Sequence, residues 1–189
     1  MNKSLDIIHD EHRALAAMLN GLRTLVAGIE AGRLQPDFDL MAAMIQYVDE
    51  VPEVVHHPKE DQYLFAKLRQ RSPEALSCIE ELESDHAQGK ARIKALNEAL
   101  AAYRQAGAEG LPAFKLALTI YLEQEWHHMN TEEDKIFPLA RQHLTDEDWA
   151  AIDAAFLANG NPWEGPSKKY AALFSKIVNV APAPVGLGG

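Results

Sequence analysis

His56-His57-Pro58-Lys59-Glu60-Asp61 and, about seventy residues later, His127-His128-Met129-Asn130-Thr131-Glu132-Glu133 are the stretches that decide the reading of this chain. Both contain His-x-x-x-Glu. Positions i and i+4 of an α-helix lie on one face, a turn apart. His56 with Glu60, and His128 with Glu132, therefore each aim an imidazole and a carboxylate at a common point. This mixed nitrogen and oxygen donor set suits iron, manganese or zinc. One such pair says little, because helices are rich in Glu and often carry a His. Two pairs, each followed by an apolar run, say much more.

Outward from these motifs, apolar residues keep helical spacing. Leu5, Ile8, His12, Leu15, Leu19, Leu22, Val26 and Ile29 alternate three and four apart, as on the buried seam of a bundle helix. His12 occupies a core position in that seam and His9 sits beside it. Ser4 is expected to cap this helix, and Gly32 and Pro36 to end it. Asp37 caps a second helix with Leu40, Met44, Ile45, Val48 and Val51. Pro52 and Pro58 should kink or restart it, since proline removes a helix hydrogen bond and crowds the preceding turn. If Pro58 begins a new helix, His56 and Glu60 need not share a face. A kinked or bulged helix keeps them close, and such distortions gather at functional sites. The helix resumes through Tyr63, Leu64, Phe65 and Leu68.

Ser72-Pro73-Glu74 reads as cap, first-turn proline and first-turn acid. The third helix then carries Leu76, Ile79, Leu82, His86, Ile93, Leu96, Leu100 and Tyr103, again with one histidine in the stripe, and should stop near Gly107 and Gly110. Pro112 opens a fourth helix with Phe114, Leu118, Tyr121, Leu122, Glu125, His128, Glu132, Ile136 and Leu139, which Pro138 should kink or end. Thr145 starts a short helix with Trp149, Ile152, Phe156 and Leu157. From Asn159 the composition turns to Gly and Pro, with one more short amphipathic helix expected over 168–178 and a loose tail after it. The expected class is all-α: an up-down-up-down four-helix bundle with capping helix over 4–158, and a C-terminal extension of short helix and tail over 159–189.

At 189 residues, 47 % of them hydrophobic and 24 % charged, the chain suits one soluble domain with a sizeable core. A net charge of −10 argues against non-specific nucleic-acid binding and against an anionic membrane surface. The single cysteine, Cys78, excludes an intramolecular disulfide and gives no support to secretion. The N-terminus has no apolar signal core and no run approaches a membrane span, so a cytoplasmic protein is expected.

A histidine in a core stripe is more often a hydrogen-bonded core residue than a ligand. Here that reading would have to hold for His12, for His56 with Glu60, for His86, and for His128 with Glu132 together. Burying carboxylates among imidazoles costs several kcal/mol per uncompensated charge, and a bound metal compensates it. Glu53-x-x-His56 and Glu125-x-x-His128 also fit the Glu-x-x-His spacing of carboxylate-bridged bundles, but that wiring needs a core Glu on each of the other helices, where His12 and His86 stand. The histidine-rich set is preferred.

The pattern Glu11-His12, His56-x-x-x-Glu60, Asp85-His86 and His128-x-x-x-Glu132 resembles the hemerythrin-like, or HHE cation-binding, domain. The likeness covers roughly residues 4 to 158, and the flanks Leu64-Phe65 and Ile136-Phe137-Pro138 share it. It implies a four-helix bundle around two non-haem iron ions, with manganese or zinc as other occupants. By that resemblance His12, His56, His86 and His128 are terminal ligands, and Glu60 and Glu132 are carboxylates able to bridge. Oxygen carriers of this family have His-x-x-x-His on the third helix; four residues after His86 this chain has Lys90. His9, His57 or His127 would fill the gap. His57 and His127 are read as hydrogen-bond partners or exposed side chains, and His9 is kept as a candidate ligand.

The leading expectation is a di-iron protein handling oxygen, nitric oxide or iron, in sensing, storage or stress response. An oxidoreductase acting on peroxide or nitric oxide, or a protein repairing iron centres, is the second reading. A bundle with a structural metal used for protein interaction is the third. The partner expected is oxygen, nitric oxide or peroxide, with a homodimer as an option and neither nucleic acid nor membrane.

Overall fold

The structure, a computed structural model, describes residues 3–159 together with Ala172 and Ser175. Four helical rods form it, with no strand among the described residues. The first rod is α1 (Lys3–Glu30). The second runs through α2 (Phe38–Glu50), α3 (His57–Lys59) and α4 (Ala66–Arg71), joined by wider π-helical turns at Pro52–His56 and Glu60–Phe65. The third is α5 (Leu76–Ala106), entered through a 3-10 turn at Pro73–Ala75 and left through another at Gly107–Gly110. The fourth is α6 (Leu111–Thr131), a third π turn at Glu132–Ile136, and α7 (Phe137–His143). A capping helix, α8 (Asp146–Phe156), ends in a 3-10 turn at Leu157–Asn159.

α1 packs on α2 and α6, and α5 packs on the same two helices, so consecutive rods are neighbours around a closed square. This is the up-down-up-down bundle that short connections favour. The seams lie where the sequence spacing puts them: Leu5, Ile8, Leu15, Leu19, Leu22 and Val26 of α1 are buried, as are Leu40, Met44, Ile45, Val48 and Val51 of the second rod.

The core divides in two. One apolar cluster, including Leu19, Leu22, Met44, Leu96, Phe114 and Leu118, fills one end of the bundle. Another, including Leu5, Ile8, Phe65, Leu68, Ile79, Phe137, Trp149 and Phe156, fills the other. Each fully buried Leu, Ile or Phe contributes about 1.5–3 kcal/mol. The histidines and glutamates of the two motifs lie in the layer between the clusters.

The prolines do not break the rods. His56 N–H bonds the Val51 carbonyl five residues back, and Phe137 N–H bonds that of Glu132 in the same way. These wide turns flank Pro58 on both sides and precede Pro138, absorbing the rings without ending the helix. His56 and Glu60 therefore stay together, and Pro138 continues the fourth rod rather than ending it.

The local signals divide. Asp37 caps α2, its side chain accepting from Leu40 N–H at 2.9 Å. Gly32 and Gly107 take positive φ where α1 and α5 end, a conformation that favours glycine. Ser4 is not a cap: it lies inside α1, buried, and its own N–H donates to Asp153 at 2.8 Å, because α8 folds back over the start of α1. Ser72 is extended and makes no side-chain cap bond. The helix expected over 168–178 lies, apart from Ala172 and Ser175, outside the described residues.

α8 is tied down at its start. Thr145 and Asp148 form a reciprocal capping box, and Arg71 of α4 donates Nε to Asp148 at 2.9 Å. The Arg71 guanidinium, aided by Thr145, holds the buried Asp148 carboxyl down from 3.8 to about 2. Such a group contributes stability above its unfolded pKa and loses it as pH falls through the folded one. Asp148→Ala is expected to cost about 2 kcal/mol at pH 7. The deficit should narrow between pH 4 and pH 2, as read by urea denaturation at both ends of that range.

Candidate metal centre

Two groups of side chains meet in the layer between the apolar clusters. His12, His56, Glu60 and Glu132 form one; His57, Glu60, His86 and His128 form the other. Within each group one donor atom per residue lies within 4.8 Å of all the others. Every rod contributes: α1 gives His12, the second rod His56, His57 and Glu60, α5 gives His86, and the fourth rod His128 and Glu132.

The two carboxylates span the groups. Glu60 Oε1 lies 2.9 Å from His56 Nε2, while its Oε2 lies 3.6 Å from His86 Nε2. Glu132 Oε2 lies 3.1 Å from His12 Nε2, while its Oε1 lies 3.7 Å from His128 Nε2. Glu60 is 0 % exposed and Glu132 1 %. Despite these distances, both oxygens of each carboxylate, and Nε2 of His12 and His56, lack a partner in hydrogen-bond geometry. Lone pairs converge without donors between them, as they do when they share a cation. In the second group His86 Nε2 and His128 Nε2 are instead hydrogen-bonded to one another at 3.1 Å. Imidazole nitrogen with carboxylate oxygen, in two adjoining sets that share a bridging acid, fits a pair of iron, manganese or zinc ions.

The opposite ring nitrogens are held from outside. Glu11 Oε2 lies 2.7 Å from His56 Nδ1, Asp61 Oδ1 2.7 Å from His86 Nδ1, and Glu133 Oε1 2.9 Å from His12 Nδ1. Asp85 Oδ2 stands 3.7 Å from His128 Nδ1, itself held by Arg92 at 2.8 Å. Each acid is the chain neighbour of a central residue, yet serves the histidine of the next rod. The first rod's Glu11 holds the second rod's His56, and Asp61 of the second holds His86 of the third. Asp85 of the third faces His128 of the fourth, and Glu133 of the fourth returns to His12. A carboxylate on Nδ1 fixes the tautomer and leaves Nε2 free for a metal.

Electrostatics follow from this packing. Burial alone would lower the histidines, but the carboxylates override it: Glu132 and Glu133 raise His12, Glu60 and Glu11 carry His56 well above its usual value, and Glu132 lifts His128 to about 9. Burial would raise Glu132, but His128, His12 and His56 bring it to about 2. His57 goes the other way. Burial and the neighbouring His86, His56 and His128 push it well below the ordinary range.

Of the residues singled out from the sequence, His12, His56, Glu60, His86, His128 and Glu132 come together. His9 stands outside both groups, its side chain 52 % exposed and its Nδ1 3.2 Å from Glu133. His127 is exposed and meets Glu81 at 2.9 Å. His57, expected as a hydrogen-bond partner or exposed side chain, is buried inside the second group, its ring stacked on His86 at 4.2 Å between centroids. Glu133, next to Glu132, is partly covered and bonded to His12. Lys90 is exposed.

Glu53 and Glu125, the discarded wiring, are both buried beside the second group. Glu53 Oε1 stands 3.6 Å from His57 Nδ1, and its carboxylate occupies the space a Cβ at position 89 would need, which Gly89 leaves open. Burial, with the charge of Glu125, pushes Glu53 up to about 7. A small cavity of about 10 Å³, room for one water-sized molecule, opens against the centre. Leu15, Val51, Pro52 and Met129 wall it, with His12, His56, His57 and His128 at its inner side.

No curated protein and no solved structure matches the chain. The family model of the hemerythrin HHE cation binding domain matches residues 3–140, the four rods up to α7 and short of α8. With that match over most of its length, and two buried His/Glu groups able to hold metal ions, the chain belongs to the hemerythrin HHE cation-binding family.

Proposed function

We propose that this chain holds two non-haem iron ions and uses them to bind oxygen, nitric oxide or peroxide in sensing, storage or a stress response. The observation that supports this reading is the pair of His/Glu groups joined by Glu60 and spanned by Glu132, with both carboxylates and the Nε2 atoms of His12 and His56 left without hydrogen-bond partners. His12 and His56 would hold one ion; His86 and His128 would hold the other, with His57 taking the place left by Lys90. Bound there, the iron pair would supply open coordination positions and electrons for a small ligand.

The protein's own part is orientation and exclusion. Glu11, Asp61, Asp85 and Glu133 fix the imidazoles. The cavity walled by Leu15, Val51, Pro52 and Met129 leaves room for one water-sized molecule beside the histidines. No helix among the described residues is long and apolar enough to cross a membrane.

The first measurement is metal content by mass spectrometry after purification without oxygen, with absorption spectra before and after air. Two irons per chain and new near-ultraviolet bands are expected. One zinc in a colourless site would replace this reading with the structural one. Sustained turnover of peroxide or nitric oxide, beyond a stoichiometric burst and beyond free iron, would move it to the oxidoreductase.

Two variants separate the ligands. Glu60→Ala should disturb both ions, because Glu60 belongs to both groups, and should fall to one iron or fewer. His57→Ala should weaken one ion by 10-fold or more and spare the other; full double loading of both variants would overturn the assignment.

Metal uptake should also release protons. In the metal-free protein the carboxylates, outweighing burial, lift His128 to about 9, so it holds a proton near neutral pH that a metal must displace, and His12 and His56 are shifted in the same direction. Affinity is therefore expected to rise with pH from 6.5 towards 9, measured by titration calorimetry in buffers of different ionisation enthalpy.

A further inference from the structure

The hydrogen bonds around His56 continue out of the family-matched part of the chain. Glu11 uses Oε2 for His56 Nδ1 at 2.7 Å. Its other oxygen, Oε1, accepts from Asn159 Nδ2 at 2.7 Å. Asn159 is the last residue of the turn after α8, beyond the matched residues 3–140. Its amide is oriented from the opposite side, because Lys59 Nζ donates to Asn159 Oδ1 and to the Ala155 carbonyl, the latter at 3.0 Å. A lysine can only donate and a carboxylate can only accept, so these two neighbours fix which way the amide points. Lys59 is the chain neighbour of Glu60, so both ends of this link return to the centre. Phe156 of α8 also meets the His56 ring edge-on at 6.5 Å.

We infer that Asn159 is a positioning residue for the metal pair: through Glu11 it sets the orientation of His56, so that the α8 cap latches onto the centre. Of the four acids that hold the histidines, Glu11 has this additional donor from the cap. Asp61 and Glu133 are partly open to solvent, whereas Glu11 is buried, and among the described residues its second oxygen accepts from Asn159. Without it the carboxylate is free to rotate, and the histidine it holds loses a fixed tautomer and ring plane. The residues after 159 begin at this latch, so displacing the end of α8 would be felt at the ion held by His12 and His56. By linkage, loading that ion would tighten the end of α8 by the same free energy.

This inference rests on the di-metal reading, and the test separates the two. Wild-type, Asn159→Ala, Glu11→Ala and the double variant are loaded with iron(II) without oxygen, and release to a chromogenic chelator is followed. Metal-free melting and the absorption spectrum in air are recorded alongside. One of two release phases is expected to quicken about 3- to 10-fold in Asn159→Ala, at or below the 10–100-fold typical of groups that directly support a ligand. The near-ultraviolet bands should shift with it. Glu11→Ala should match or exceed this, and adding Asn159→Ala to it should change nothing further, since both act through one path. Unchanged release in Asn159→Ala, equal quickening of both phases, or an undiminished effect in the Glu11→Ala background overturns the latch while leaving the metal pair in place. A lowered metal-free melting temperature with both phases unchanged also overturns it, leaving Asn159 a purely structural residue. Wild-type protein that takes up no iron overturns the di-metal reading and the latch together.

Discussion

Everything in this bundle is arranged around two carboxylates that have been taken out of water. Glu60 and Glu132 are almost wholly buried, and none of their four oxygens has a hydrogen-bond donor in good geometry. An ionised carboxylate in that state costs several kcal/mol even after relaxation. Five imidazoles surround the pair, three of them with raised affinity for a proton in answer to the negative charge. The two apolar clusters on either side hold the layer in place and keep solvent from filling it. Positive charge is thus called for in the middle of the molecule. Protonated histidines meet that need in the metal-free chain, and two divalent cations would meet it better.

The outer acids turn four separate ligands into one assembly. Because each acid faces a histidine of the next rod, three of them at hydrogen-bond distance and Asp85 at 3.7 Å, and the fourth acid returns to the first rod, rotating any helix about its axis disturbs two contacts at once. The short connections of the bundle make this ring possible, since only neighbouring rods need to meet. The orientation of the four histidines therefore depends on Glu11, Asp61, Asp85 and Glu133 as well as on their own helices. At Glu11 the ring is open to influence from the capping helix, which lies beyond the family-matched residues.

The π turns show how the second and fourth rods accommodate this chemistry. Both carry a His-x-x-x-Glu motif and both have a proline within six residues of its Glu. An ordinary helix would be broken there. Wider turns at Pro52–His56, Glu60–Phe65 and Glu132–Ile136 keep the rods continuous and reset which residues face inward. The same feature that threatens the helix places an extra histidine at the centre.

The sequence by itself determined what depends on one helix at a time. The seams of α1, α2, α5 and α6 follow from a period of 3.6 residues, the stops at Gly32 and Gly107 from the freedom of glycine at positive φ, and the pairing of His56 with Glu60 and His128 with Glu132 from i and i+4 geometry. Four rods with inward histidines leave little choice but a bundle around a polar layer. What the tertiary structure alone decided concerns phase and neighbour. Adjacent residues on an α-helix point about 100° apart, so His56 and His57 were not expected to face the same centre, yet packing buries both rings in the polar layer. Glu133 meets His12 only because the fourth rod is set beside α1. Asn159 looked like the start of a C-terminal extension until α8 folded back and laid it on Glu11. Periodicity is a property of a single helix, whereas the rotation of one helix against another is fixed only when their side chains pack.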